Sequence, residues 1–135
     1  MKKIYVGHSK NSNYIDELYN PIINSELSQM YEFIFPHLDE KTFNSQYVIE
    51  KSDLFIAEVS NPSLGLGIEI GKAESKNKKI LCIYNEKCEF PSCLKYVNVD
   101  SLSYKNKEDM VNKLQEYIEN GKWDGSNFQF SRIYN

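Results

Sequence analysis

At 135 residues the chain has room for one hydrophobic core, and a single domain over 1–135 is expected. Hydrophobic residues at 41% and charged residues at 26% are ordinary for a globular chain and exclude a disordered or fibrous one. A net charge of −3 leaves no basic footprint for a nucleic-acid polymer or an anionic membrane, so neither is expected as a partner, whereas one small nucleotide is compatible with it.

The opening "MKKIYVGHSK" begins basic, but its apolar run stops at Gly7, too short for a signal-peptide core. With no long apolar stretch and three cysteines that cannot all pair, a reducing cytoplasm is the expected location. Cys82 falls inside an apolar run and reads as a core residue. Cys88 and Cys93 lack the spacing of a metal site, so no metal and no cofactor is expected.

Taken in order, 2–7 ("KKIYVG") predicts a buried first strand closed by glycine. Residues 11–29 are helical in composition, but Pro21 removes a backbone donor, which predicts a kink or two short helices. Residues 31–35 ("YEFIF") predict a second strand and 43–52 a short helix. Residues 53–59 ("DLFIAEV") and 78–84 ("KKILCIY") are near-continuous apolar runs, as in strands buried on both faces. Residues 96–100 ("YVNVD") predict a fifth strand. A last helix spans 106–120, with Asn106 as cap, Gly121 as stop and Val111, Leu114 and Ile118 as core stripe. The alternation predicts an α/β fold: an open, mostly parallel five-stranded sheet of Rossmann-like or flavodoxin-like type, with helices on both faces. The tail 121–135 carries Trp123, Phe128, Phe130, Ile133 and Tyr134, which either pack back on the domain or cover a neighbouring subunit.

One residue is out of keeping with its surroundings. Glu69 lies in "NPSLGLGIEIGKAES", after the third strand, where parallel α/β folds bind ligands. At about 100° per residue Leu66, Ile70 and Ala73 form a core stripe, and Glu69 falls roughly 60° from Leu66, at the stripe's edge. Ile68 points nearly opposite, which leaves a second apolar face for another subunit to cover. Gly65, Gly67 and Gly71 each cost about 1 kcal/mol against alanine in a helix, which makes sense if another group approaches the backbone closely. The first-turn amides and the Ser63 hydroxyl suit a phosphate or sugar oxygen. Locally, Glu69 reads equally well as a reactive carboxylate or as a partner of the helix dipole.

The stretch "SDLFIAEVSNPSLGLGIEIGKAESKNKKILCIY" (52–84) closely resembles the nucleoside 2-deoxyribosyltransferase superfamily, and most of all its 2′-deoxynucleoside 5′-monophosphate N-glycosidase branch, which carries an "AEV…PSLGxGxExGxA" core. "KIYVG" resembles the family's first strand and "EFPSCLKY" a later loop. The resemblance implies cleavage of an N-glycosidic bond, with Glu69 as the nucleophile that attacks C1′ and forms a covalent glycosyl-enzyme. It implies Tyr5 as the tyrosine that orients the nucleophile, Ser63 as a holder of the 5′-phosphate, and Ser92 as a second phosphate-binding serine donated by a neighbouring subunit. A homo-oligomer, at least a dimer, would then complete the site. Gly7, His8 and Lys10 of the first loop, with Gly65 and Gly67, would line the substrate.

Three departures from the family pattern stand out. Ser45 occupies the position of an aspartate that assists the leaving base, with Asp39, Glu40 and Glu50 as possible substitutes. Lys10 stands for the arginine of a G-S-x-R-type loop, without its bidentate geometry. That loop is also one residue short, so a shift would put Ile4 in place of Tyr5 and turn Tyr5 to the other sheet face. His8 and His37 are candidates for contacts with phosphate or base. The leading expectation is a nucleotide N-glycosidase. The alternatives are a deoxyribosyltransferase and a nucleotide-binding module without chemistry.

Overall fold

The computed structural model of the chain describes residues 1–38 and 44–121. The aromatic tail after Gly121, and Asp39 and Glu40, lie outside the described residues. Five strands are present: β1 Lys3–His8, β2 Glu32–Ile34, β3 Leu54–Glu58, β4 Ile80–Asn85 and β5 Asp100–Tyr104. They form one sheet in the order β2-β1-β3-β4-β5, and each neighbouring pair is parallel. The helices are α1 Asn20–Ile23, α2 Leu27–Met30, α3 Ser45–Glu50, α4 Leu64–Ser75 and α5 Lys107–Glu119. The α/β fold expected from the sequence is present, with the flavodoxin-like strand order.

Strand alternation divides the core in two. Ile4, Val6, Leu54, Ile56, Leu81 and Ile83 face α1 and α5, where Ile22, Leu114 and Ile118 meet them. Tyr5, Phe55, Ala57, Ile80 and Cys82 face α3 and α4, meeting Ile49, Leu66, Ile70 and Ala73. With both faces covered, β3 and β4 need no polar alternation, which is why they read as continuous apolar runs. The stripe Leu66–Ile70–Ala73 is buried as expected, whereas in α5 Met110 takes the core position expected for Val111.

The segment 11–29 breaks near Pro21. A π-helical turn, Ile15–Tyr19, runs directly into α1, closed by the Asn20 N–H to the Ile15 carbonyl. Proline cannot supply the N–H that a regular turn would use here, and the wider turn accommodates the loss.

The fifth strand is not where the sequence suggested. A 3₁₀ turn, Ser92–Leu94, is followed by short-range bonds from Lys95 N to Ser92 O, Val97 N to Leu94 O and Val99 N to Val97 O. The backbone therefore keeps turning through "YVNV", and pairing with β4 starts at Asp100. Val97 and Val99 still pack on the core, so their alternation reflects burial without strand pairing. Asp100 is fixed at that point by a buried ion pair with Lys79 at 3.0 Å and by the Tyr117 hydroxyl at 2.6 Å.

Candidate active site

The strand order reverses direction between β1 and β3, and the crevice beyond their carboxyl ends is where such sheets bind ligands. β1 and α4 bring Tyr5 and Glu69 together there. Tyr5 is one of the β1 residues facing α4, and its hydroxyl donates to Glu69 Oε2 at 3.3 Å. Ile4 belongs to the opposite core layer, so the register that would exchange the two is not the one adopted. Tyr5 is further held by Phe55, whose ring meets it edge-on at 5.4 Å.

Ser45, the first residue of α3, completes the group. Asn44 caps this helix by accepting from Tyr47 N, which sets Ser45 at its entrance. The Ser45 hydroxyl lies within reach of both Glu69 and Tyr5 and favours their ionised forms. Burial pushes the Glu69 carboxyl above the ordinary carboxylate range, while the hydroxyls of Ser45 and Tyr5 pull it back. Burial, reinforced by the Glu69 charge, pushes the Tyr5 phenol well above its usual value. The result is a desolvated carboxylate steadied by two hydroxyls.

Ser63 caps α4, its Oγ accepting from Leu66 N at 3.4 Å, and is half-buried. Gly65 and Gly67 follow in the first turn, exposed, with open space where a Cβ would stand. Of the first-turn amides, Leu66 N is taken by Ser63 Oγ and Gly67 N donates to the Ser63 carbonyl at 3.0 Å. Gly7 has a different reason to be glycine: a Cβ there would lie 2.7 Å from Phe55 Cε1.

His8 departs from the loop position expected of it. It is the last residue of β1, paired with Glu58 and buried. Its Nδ1 donates to the Ser9 carbonyl at 2.9 Å, and its Nε2 accepts from the Tyr19 hydroxyl at 2.6 Å. Burial lowers the imidazole to about 4, which fits this neutral form. Tyr19 in turn accepts from the His37 N–H at 3.0 Å, which ties the end of β2 to β1. Tyr14 stacks on His8 at 4.2 Å. Both ring nitrogens of His8 are therefore engaged inside the protein.

Tyr19 is a residue the sequence reading missed, although it lies close enough to Glu69 and Tyr5 for their charges to act on it. Its five-residue spacing from Tyr14 matches the π turn that brings both rings to His8, a spacing an α-helical reading discards. His37 is half-exposed and held below the usual histidine value by desolvation and by Lys10, which is itself exposed. Ser92 is exposed on the 3₁₀ turn after β4, on a different loop from Tyr5, Ser45 and Glu69. Glu50, a possible substitute acid, is instead paired with Lys76 at 3.2 Å on the surface.

A separate cavity of about 370 Å³ opens at the ends of β3, β4 and β5, over Glu58 and Tyr104. It faces the π turn and α5, not α4, so Glu69 is outside it. Among the described residues no group of three His, Cys, Asp or Glu is placed to hold a metal ion, and no helix is long and apolar enough to cross a membrane.

No family model matches the chain. It is 56% identical over 36 residues to a 5-hydroxymethyl-dUMP N-hydrolase of Branchiostoma floridae, a match covering 27% of this chain and 34% of that protein. The Homo sapiens protein of the same name is 47% identical over 36 residues, covering 27% of this chain and 21% of its own. The matched stretch thus spans about a third or less of these relatives. A solved Clostridium botulinum CMP N-glycosidase superposes with a TM-score of 0.63 at 25% identity, over 84% of this chain and 99% of its own. By sequence and by fold, the chain is similar to nucleotide N-glycosidases. The deoxyribosyltransferase-like branch named from the motif fits these findings, and the nucleotide N-glycosidase likeness extends over most of the sheet and helices described above.

Proposed function

We propose that the chain is an N-glycosidase that cleaves the base–sugar bond of a nucleoside or 2′-deoxynucleoside 5′-monophosphate through a covalent glycosyl-Glu69 intermediate. One observation carries this reading: a desolvated carboxylate, held by Tyr5 at 3.3 Å and by Ser45, at the β1/β3 crevice. A carboxylate kept there only for packing would carry a desolvation cost that the two hydroxyls offset only in part.

In this reading Glu69 attacks C1′ as the base departs. Its negative charge stabilises the oxocarbenium-like transition state, more strongly in a desolvated pocket than in water. The Tyr5 hydroxyl fixes Oε2 of the carboxylate, and with Ser45 it favours the ionised form against burial. Water then hydrolyses the ester and restores Glu69. The 5′-phosphate sits at the start of α4, against the Ser63 hydroxyl and the helix start that Gly65 and Gly67 leave free of bulky side chains, where the helix dipole favours an anion. Lys10, beside His37 at the mouth, adds positive charge. Gly7 and His8 shape the wall without touching substrate through a side chain. A second copy of the chain brings Ser92 to the phosphate and covers exposed Leu64 and Ile68 of α4.

The test is incubation with a panel of ribo- and deoxyribonucleoside 5′-monophosphates beside Glu69→Ala, with free base followed by chromatography. Base released by the wild type alone is the expected result. Ligand-dependent stabilisation without base release would make the chain a binding module instead.

A further inference from the structure

Tyr19 is fully buried, and its ring is packed by Tyr14 at 5.1 Å and Phe35 at 4.7 Å. Phenylalanine would fill that space equally well, so the hydroxyl needs its own explanation. It donates to His8 Nε2 at 2.6 Å and accepts from the His37 N–H at 3.0 Å. One oxygen thus joins the ends of β1 and β2, which are neighbours in the sheet.

Each of these two ends starts a loop at the mouth of the crevice. On the β1 side, His8 Nδ1 and the Ser12 hydroxyl donate to the Ser9 carbonyl at 2.9 and 2.8 Å, and Ser9 Oγ accepts from Asn11 N at 3.1 Å. Lys10 stands within that knot, exposed. On the β2 side His37 is half-exposed, and the Lys10 charge acts on it. The two loops therefore face one another, and the Tyr19 hydroxyl is the link beneath them. The Glu69 charge acts on Tyr19 as well, so the link lies near the carboxylate. The π turn Ile15–Tyr19 delivers it there, because its wider turn sets Tyr14 and Tyr19 both against His8. Single turns of this kind recur at functional sites.

We propose that Tyr19 is a positioning residue for nucleotide binding, whose hydroxyl holds the Lys10 and His37 loops at the spacing that admits a nucleoside monophosphate. The inference rests on the nucleotide site of the glycosidase reading and adds to it a residue that touches no substrate. Removing the hydroxyl leaves His8 Nε2 and the His37 N–H unpaired, and each regains a partner only by moving toward water, which shifts both loops. Glu69 keeps Tyr5 and Ser45, so the loss falls on affinity and spares the chemical step.

The experiment compares Tyr19→Phe with the wild type on the uridine, cytidine, adenosine and guanosine 5′-monophosphates and their 2′-deoxy forms. It follows base release and, in a Glu69→Gln background, the calorimetric Kd. The expected result is a rise of about tenfold in KM and Kd, with kcat within about threefold. His8→Leu removes the other end of the same bond and should give the same split, which serves where Tyr19→Phe does not fold. Lys10→Ala combined with Tyr19→Phe should cost less than the product of the two single losses, since Tyr19 acts through the loop that carries Lys10. A fall in Tm with KM and Kd unchanged overturns the inference and makes the hydroxyl structural alone. So does a loss confined to kcat, or a pair of losses that multiply in full. Absence of base release from every nucleotide sinks the glycosidase chemistry alone, and Kd still decides Tyr19. Absence of binding by every nucleotide overturns both.

Discussion

Tyr5→Phe isolates the hydroxyl that meets Glu69. Phenylalanine keeps the ring, so the edge-on contact with Phe55 at 5.4 Å survives and the core on that face stays filled. What is lost is one hydrogen bond to a carboxylate. Bonds to charged groups contribute about 1.5–3 kcal/mol at good geometry. At 3.3 Å this one is longer than the usual O–H···O distance, so about 1 kcal/mol is the reasonable figure. Losing that bond removes one of the two influences that pull the Glu69 carboxyl down, so it should rise further above the ordinary carboxylate range.

The sign is fixed by which form the bond favours. Tyr5 donates to the ionised carboxylate and lowers its pKa, so its loss adds to the upward push of burial. Catalysis by an attacking carboxylate requires the ionised form. The acidic limb of kcat/KM in the wild type should therefore lie above the ordinary carboxylate range, and in Tyr5→Phe it should move up by roughly half to one pH unit. The measurement is a pH profile of base release with saturation curves at each pH, beside a carboxyl NMR titration of the protein alone. A limb that stays in place or moves down, with the fold intact, would refute the claim that Tyr5 acts on the nucleophile.

Glu69→Gln should abolish base release and raise the Tm at pH 7 by a few degrees. The folded pKa of Glu69 lies above its unfolded value, so the wild type bears a penalty that is full above the folded pKa and disappears below the unfolded one. The gain in the variant should vanish by about pH 4, as thermal melts at both pH values will show. His8 acts in the opposite sense. Its folded value of about 4 lies below the ordinary 6.5, so its stabilising contribution is present above pH 6.5 and lost as pH falls toward 4. Urea unfolding at pH 7 and pH 5 should show the wild type losing about 2 kcal/mol that His8→Gln does not lose. Gly7→Ala forces a Cβ against Phe55 and should cost about 1–3 kcal/mol in urea unfolding. Gly67→Ala meets open space and should stabilise the free protein by up to about 1 kcal/mol, while weakening nucleotide affinity in calorimetry if phosphate approaches that backbone.

Buried strands and the amphipathic α5 were legible because burial on two faces and a 3.6-residue period leave direct marks on sequence. The edge strand was not. Asp100–Tyr104 reads "DSLSY", half-buried in the middle and polar, while the more apolar "YVNV" beside it is spent on a turn. Edge strands need fewer apolar residues, so apolar alternation pointed four residues too early. His8 was misread for a related reason: the glycine before it looked like a strand end, but Gly7 is demanded by the Phe55 ring and the strand runs on.

The site divides along the same line. Glu69 was legible as a carboxylate out of place on an apolar helix edge, and Ser63 as a hydroxyl at the start of that helix. Ser45 was legible only as a departure from a pattern, since nothing local marks a serine at a helix start as anything but a capping residue. Its place beside Glu69 and Tyr5 comes from α3 meeting α4 over the face of β1, a convergence of three segments far apart in sequence. That convergence changes what the departure means. A serine turned to solvent would mark a lost function, whereas one set against both the carboxylate and its tyrosine supports the carboxylate.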